Sequence, residues 1–154
     1  MSNDLVTRFY SSLEAGNGDA MADCYADNIV FEDPAFGELH GQDAGDMWRM
    51  LASRGTDLVI DFRILEASAT AARVNWIATY TFSTGRHVRN DIMATMSIED
   101  GKIVDHRDVF DLWKWSGQAL GLPGKLLGWS PPMKAKVRSG ALDSLAKFQK
   151  QQRS

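Results

Sequence analysis

Between Ala71 and Ile98 apolar and polar side chains alternate along two runs, separated by Ser83-Thr84-Gly85-Arg86. Successive side chains of a strand point to opposite faces, so a period of two predicts two strands, and the short polar break predicts a hairpin turn. Val74, Trp76, Ala78, Tyr80 and Phe82 share one face of the first run; Arg73, Asn75, Ile77, Thr79 and Thr81 share the other. In the second, Val88, Ile92, Ala94, Met96 and Ile98 oppose His87, Arg89, Asp91, Met93, Thr95 and Ser97. The same period begins after Gly55, where Leu58, Ile60, Phe62 and Ile64 form an apolar face. It continues beyond the turn Glu99-Asp100-Gly101-Lys102, from Ile103 to about Trp113. A meander of this length must curl, and its concave side must be filled by helices or left as a cavity.

The helices come first in the chain. Asn3 or Asp4 can cap a helix that carries Leu5, Phe9 and Leu13 and stops at Gly16-Asn17-Gly18. A second, short helix is expected from Asp19 to about Tyr25. A third runs from about Asp43 to Ser53, with Met47, Trp48 and Leu51 as its apolar face. Helices followed by a long meander make the fold class α+β, a strongly curved antiparallel sheet covered by three N-terminal helices.

Asn28-Ile-Val-Phe-Glu-Asp-Pro-Ala-Phe-Gly-Glu-Leu-His-Gly41 lies between the second and third helices. Ile29 to Asp33 reads as a strand that Pro34 terminates, because proline lacks the N–H and holds the preceding residue extended. Asp33 thus ends a strand between Phe31 and Phe36. A carboxyl at the mouth of an apolar pocket is suited to be a general base. The same residue in an Asp-Pro pair can instead accept backbone hydrogen bonds in an Asx turn.

Charge and composition exclude several classes. A net charge of −3 argues against nucleic acid as a main partner. One cysteine, Cys24, permits no internal disulfide and no cysteine-rich zinc site, and the three histidines show no metal-ligand spacing. No metal and no cofactor are expected. Without an apolar run of about 20 residues or a signal-peptide pattern, a cytoplasmic location is expected.

Three segments resemble the cone-shaped superfamily of nuclear transport factor two: residues 8–17, Tyr25-Ala-Asp-Asn-Ile-Val-Phe-Glu-Asp-Pro34, and Gly101-Lys-Ile-Val-Asp-His-Arg-Asp-Val-Phe-Asp111. That superfamily includes ketosteroid isomerases, limonene-epoxide hydrolases, scytalone dehydratases and SnoaL-type polyketide cyclases. The resemblance covers about residues 4–122 and implies a cone domain over 1–122, with 123–154 as an extension on the same domain. Asp33 matches the aspartate with which ketosteroid isomerases move a proton. Their oxyanion-hole tyrosine aligns with Phe9, next to Tyr10, and their protonated aspartate falls near Ala94. His106-Arg-Asp-Val-Phe-Asp-Leu112 is similar to the Trp-Arg-Asp-Tyr-Phe-Asp-Leu of limonene-epoxide hydrolases, which places Asp108 on one of their aspartates. The positions of their arginine and second aspartate hold Asn75 and Ile77.

A candidate site follows. Asp33, His106 and Asp108 are the catalytic candidates, because even-numbered positions of the last strand face inward if the cavity is lined as expected. Tyr10, Phe31, Trp48, Asn75 and Met96 are the candidates for holding substrate. The alternative is that Asp108 pairs with an arginine such as Arg107, Arg73 or Arg63 and that His106 is a satisfied core group. The expected ligand is a small hydrophobic molecule and the expected chemistry a cofactor-free proton transfer of isomerase, cyclase or dehydratase type. An epoxide-hydrolase-like enzyme and a non-enzymatic binding or dimerisation module are the alternatives.

The C-terminal part departs from the compact pattern. Residues 111–132 hold three of the five tryptophans among Gly117, Gly121, Pro123, Gly124 and Gly128, and read as a mouth closure or a partner contact. Pro131 or Pro132 starts a helix to about Gln149, with Met133, Val137, Ala141, Leu145 and Phe148 on one stripe. Lys134, Lys136, Arg138, Lys147, Lys150 and Arg153 lie on the other face. This helix is expected to cover the body and not to bind a membrane. A homodimer is expected through the outer sheet face, where Trp76, Tyr80 and Met93 would otherwise be exposed.

Overall fold

The computed structural model describes residues 2–54 and 57–152. Gly55, the expected break before the meander, and Arg153, assigned to the basic face of the last helix, lie outside the described residues. The elements run α1 (Ser2–Glu14), α2 (Gly18–Asp23), β1 (Tyr25–Asp33), β2 (Gly37–His40), α3 (Gln42–Arg54), β3 (Val59–Ala67), β4 (Ala71–Thr81), β5 (His87–Glu99), β6 (Lys102–Val109), α4 (Leu112–Leu120), α5 (Leu122–Leu127) and α6 (Pro131–Gln152).

The fold is α+β and cone-like. One six-stranded sheet has the order β2-β1-β6-β5-β4-β3. The β3-β4-β5-β6 meander is antiparallel, as the alternation requires, and β6 then lies parallel to β1, pairing His106 with Phe31. Register shifts between Tyr25 and Val30, Ile64 and Glu66, and Ser97 and Ile98 bend these strands, because an extra residue on one strand kinks it and raises its twist. The bent sheet closes on α1 and α3. Val6, Phe9, Tyr10 and Leu13 of α1 and Met47, Trp48 and Met50 of α3 are buried with Val74, Trp76, Ala94, Met96 and Ile103 of the sheet.

Several expectations are corrected. Tyr25 opens β1 and does not close α2, because Cys24 caps that helix and sends its thiol back to the Ala20 carbonyl. Gly37–His40 adds an edge strand of four residues after the one that ends at Asp33; Gly37, at φ 75°, makes the reversal between them. The last strand stops at Val109, not Trp113. Asp111 accepts the Lys114 N–H and caps α4, so the aromatic run after it is helical. Trp76 and Tyr80 do not lie on an exposed outer face. Trp76 is in the core against Tyr10 and Trp48, and the Tyr80 hydroxyl takes the Trp115 indole N–H at 2.8 Å. The argument from those residues for a homodimer therefore falls.

The last helix does follow its predicted stripe. Leu145 and Phe148 are buried, and Val137 and Ala141 pack against the same core. Gln149 Nε2 donates to Asp43 (2.7 Å) and Asp46 (3.1 Å) of α3, while Arg138 donates to the Pro34 carbonyl at 3.4 Å. The helix α6 thus reaches from α3 to the turn that follows Asp33. None of the helices is long and apolar enough among the described residues to cross a membrane.

Candidate functional site

β1 and β6 bring the site together. His106 is fully buried at the centre, in an aromatic box. Trp48 stacks on it at 6.0 Å and 14°, and Phe9 and Phe31 present edges at 5.5 and 5.1 Å. Both ring nitrogens are occupied: Nδ1 lies 2.7 Å from the Tyr25 hydroxyl and Nε2 2.9 Å from Asp108 Oδ1.

The donors and acceptors of this network close in one direction. Trp48 Nε1–H donates to Tyr25 Oη at 2.7 Å, so the Tyr25 O–H is left to donate to His106 Nδ1. In that arrangement His106 Nε2–H donates to Asp108 Oδ1, which also takes the Trp76 indole N–H at 3.4 Å. Burial, eased by the Trp48 hydrogen bond, pushes the Tyr25 hydroxyl well above its ordinary pKa of 10.0, so it remains a phenol. Among the described residues Asp108 pairs with no arginine: Arg107 instead bonds Asp105 and Glu32 on the outside.

Asp33 ends β1 beside this network. Its Oδ1 accepts the Ala35 N–H at 2.9 Å and the Phe36 N–H at 2.6 Å, an Asx turn. Its Oδ2 has no hydrogen-bond partner among the described residues. Removal from water is the largest influence on this half-buried carboxyl and Asp108 repels its charge; the two backbone N–H bonds act the other way. The balance raises its pKa from 3.8 to about 7. The turn geometry and a perturbed acid are therefore both present in one residue. Its charge also reaches Tyr80, whose hydroxyl pKa is raised, mainly by burial.

The remaining candidates divide. Phe31, Trp48 and Met96 are buried in the interior, with Met96 paired to His106 across β5 and β6. Tyr10 is buried as well, stacked on Phe62 at 5.3 Å, and its hydroxyl finds no hydrogen-bond partner among the described residues. Such a group ordinarily meets water or a ligand. Burial, with some repulsion from Asp108, pushes its pKa well above 10.0 and keeps it a donor. Asn75 does not face in. It lies on the opposite face of β4 from Trp76 and donates to Asp91 (2.7 Å) and to the Ile92 carbonyl (3.1 Å). Its place in a substrate pocket is withdrawn, since the strand alternation that buries Trp76 turns Asn75 outward. Tyr25 and Trp76, which join the network through their polar tips, were not among the candidates. The described residues contain no cluster of His, Cys, Asp and Glu fit to hold a metal.

The model of a SnoaL-like domain family matches residues 6–106. None of the curated proteins compared matches the chain. Among solved structures, a limonene-epoxide-hydrolase-like enzyme of Mycobacterium tuberculosis superposes with TM-score 0.61 at 20% identity, over 80% of this chain and 93% of that one. A protein of Catenulispora acidiphila with a ketosteroid isomerase-like fold, bound to trimethylamine, gives 0.67 at 15% identity over 85% and 100%. A protein of unknown function from Cytophaga hutchinsonii, like nuclear transport factor two, gives 0.56 at 18% over 72% and 90%. At these identities the likeness is one of fold.

Proposed function

Because the chain belongs to the SnoaL-like domain family, whose fold carries unrelated chemistries, its function has to be argued from the site; we propose a cofactor-free proton-transfer enzyme acting on a small hydrophobic carbonyl compound. The observation that carries this reading is the Asp33 carboxyl, with one oxygen fixed by two backbone N–H groups and the other without a partner among the described residues. A base with a pKa of about 7 is half ionised near neutrality, where it can both take and return a proton.

The balance of the step is simple. Asp33 Oδ2 takes a proton from the carbon beside the carbonyl, the C–H electron pair moves into the enolate, and the carboxyl, after exchanging that proton with solvent, returns one to carbon at the same or another position. The developing oxyanion needs a donor. The Tyr10 hydroxyl, buried and lacking a partner, supports that role. His106 has no free nitrogen for the substrate and Asp108 is bound by two donors, so in this reading they hold Tyr25, Trp48 and Trp76 in place. Phe31 and Trp48, packed around His106 beside Asp33, make the surroundings of the site apolar, which supports a hydrophobic substrate. The epoxide-hydrolase reading draws no support from Asn75, which is engaged on the opposite face.

Solvent-deuterium incorporation into a panel of cyclic ketones, read by mass spectrometry, tests this. Exchange should rise as pH increases through about 7, and Asp33→Asn should lower it at least about 100-fold while ligand affinity changes little. Equal exchange by the variant would remove Asp33 from the mechanism.

A further inference from the structure

The short helix α5 is inside out. Its inward positions are glycines: Gly124 and, just past its end, Gly128 are buried against α4, and a Cβ on Gly124 would collide with the Ser116 carbonyl. Its leucines point to solvent. Leu122, Leu126 and Leu127 are 66%, 62% and 51% exposed, and Trp129 and Trp113 beside them are 55% and 50% exposed. A helix that served only the core would bury its leucines and expose its small residues. Leu122, Leu126 and Trp129 follow the spacing of one helical stripe, so they offer a single apolar ridge.

Two further observations define what covers the ridge. Both exposed indoles have already placed their N–H on backbone carbonyls, Trp113 on Lys125 at 2.9 Å and Trp129 on Leu126 at 3.0 Å. Their rings can enter an apolar medium without stranding a donor. The C-terminal part of the sequence that carries them is also one-sided in charge. Residues 111–154 carry eight Lys and Arg against two Asp, whereas residues 1–110 carry nine against eighteen acids. An open groove of about 870 Å³ runs between α4–α5 and the β4–β5 turn, and its lining includes Arg86, His87, Lys114 and Lys125 against Asp111. The Asp111 carboxylate is itself engaged in capping α4.

We propose that α5 and its flanks form a peripheral docking surface for an anionic phospholipid bilayer, with Leu122, Leu126, Leu127 and Trp129 entering the interface and the basic groove meeting lipid phosphates. The segment would lie in the interfacial plane, which requires an apolar ridge flanked by cations and no spanning helix. A second copy of the chain fits less well. Two such ridges meeting about a two-fold axis would set Lys114, Lys125 and Lys134 against a copy of the same cationic region. The ridge is on α5, not on the α6 stripe, which is occupied by the core.

Co-sedimentation of the full chain with vesicles tests the proposal. Binding is expected to vesicles of mixed phosphatidylcholine and phosphatidylglycerol, to fail with phosphatidylcholine alone, and to weaken steeply with salt. Leu126→Asp should reduce partitioning by at least about ten-fold, because it puts a charge into the buried ridge. Val59→Asp, at an apolar residue exposed on the sheet edge, should leave it unchanged. Since both residues are exposed, circular dichroism should show both variants folded. Absence of sedimentation, equal binding to neutral vesicles, or equal loss in both variants would overturn the proposal. So would a dimer in light scattering that Leu126→Asp converts to a monomer, for the ridge would then belong to a self-interface.

Discussion

Asp33→Asn separates the electrostatic cost of the Asp33 carboxylate from its structural use. The amide oxygen can still accept the Ala35 and Phe36 N–H groups, so the turn is retained. What changes is the titration. In the folded chain Asp33 has a pKa of about 7, against an unfolded value near 3.8. This is an acid with a raised pKa, so between these values the native state binds more protons than the unfolded state. Stability is then fully present below about pH 4 and is lost as pH rises through about 7. The slope is about 1.4 kcal/mol per pH unit, which gives a ceiling of about 4 kcal/mol over the whole window and about 2.7 kcal/mol between pH 5 and 7. Asp33 is half-buried, and the solvent it retains lowers these figures. Urea denaturation of both proteins at pH 5 and pH 8 should therefore show the variant gaining about 1–3 kcal/mol on the natural chain at the higher pH. All other titrating groups cancel in that comparison. A difference that does not change with pH would show that Asp33 is hydrated and titrates normally.

Tyr25→Phe leaves the Trp48 indole N–H without an acceptor and His106 Nδ1 without its donor, so it should cost about 3 kcal/mol in chemical denaturation. It should also change the tautomer signature of His106 in nitrogen NMR. Gly124→Ala cannot be accommodated while α5 rests on Ser116; it should cost about 2 kcal/mol and release the Trp113 indole from the Lys125 carbonyl, read as a red shift in tryptophan emission.

The sheet could be read from the sequence because alternation is a local property, and it runs without interruption through β4 and β5. The strand β2 escaped because four residues with one buried leucine, Leu39, give almost no period. The aromatic run from Val109 to Trp115 looks like strand by composition, and the available signal against that reading was Asp111 three residues before Lys114, a helix cap. The strand-end place of Asp33 and the inward parity of His106 and Asp108 were legible in the sequence. Tyr25 was not, since its partner lies 81 residues away in sequence and no local pattern connects the two. Asn75 faces outward because alternation divides β4 into two faces, and only the packing of Trp76 on Tyr10 and Trp48 decides which of them is inner.

The parallel pairing of β1 with β6 has a consequence for how the molecule is made. Tyr25 meets Ile103 and Phe31 meets His106, so the first strand cannot find its neighbour until the last one has been synthesised. On a ribosome, the hairpin of β1 and β2 emerges early and must wait with one edge unpaired, an invitation to misassociation. Closing so long a loop also makes the step slow in refolding. The step that ends the wait is the one that first brings His106 to Tyr25 and Trp48. Quenching or a spectral shift at Trp48 should then report the final event of folding, and a chain cut short of β6 should contain two sound halves of a sheet with no centre between them.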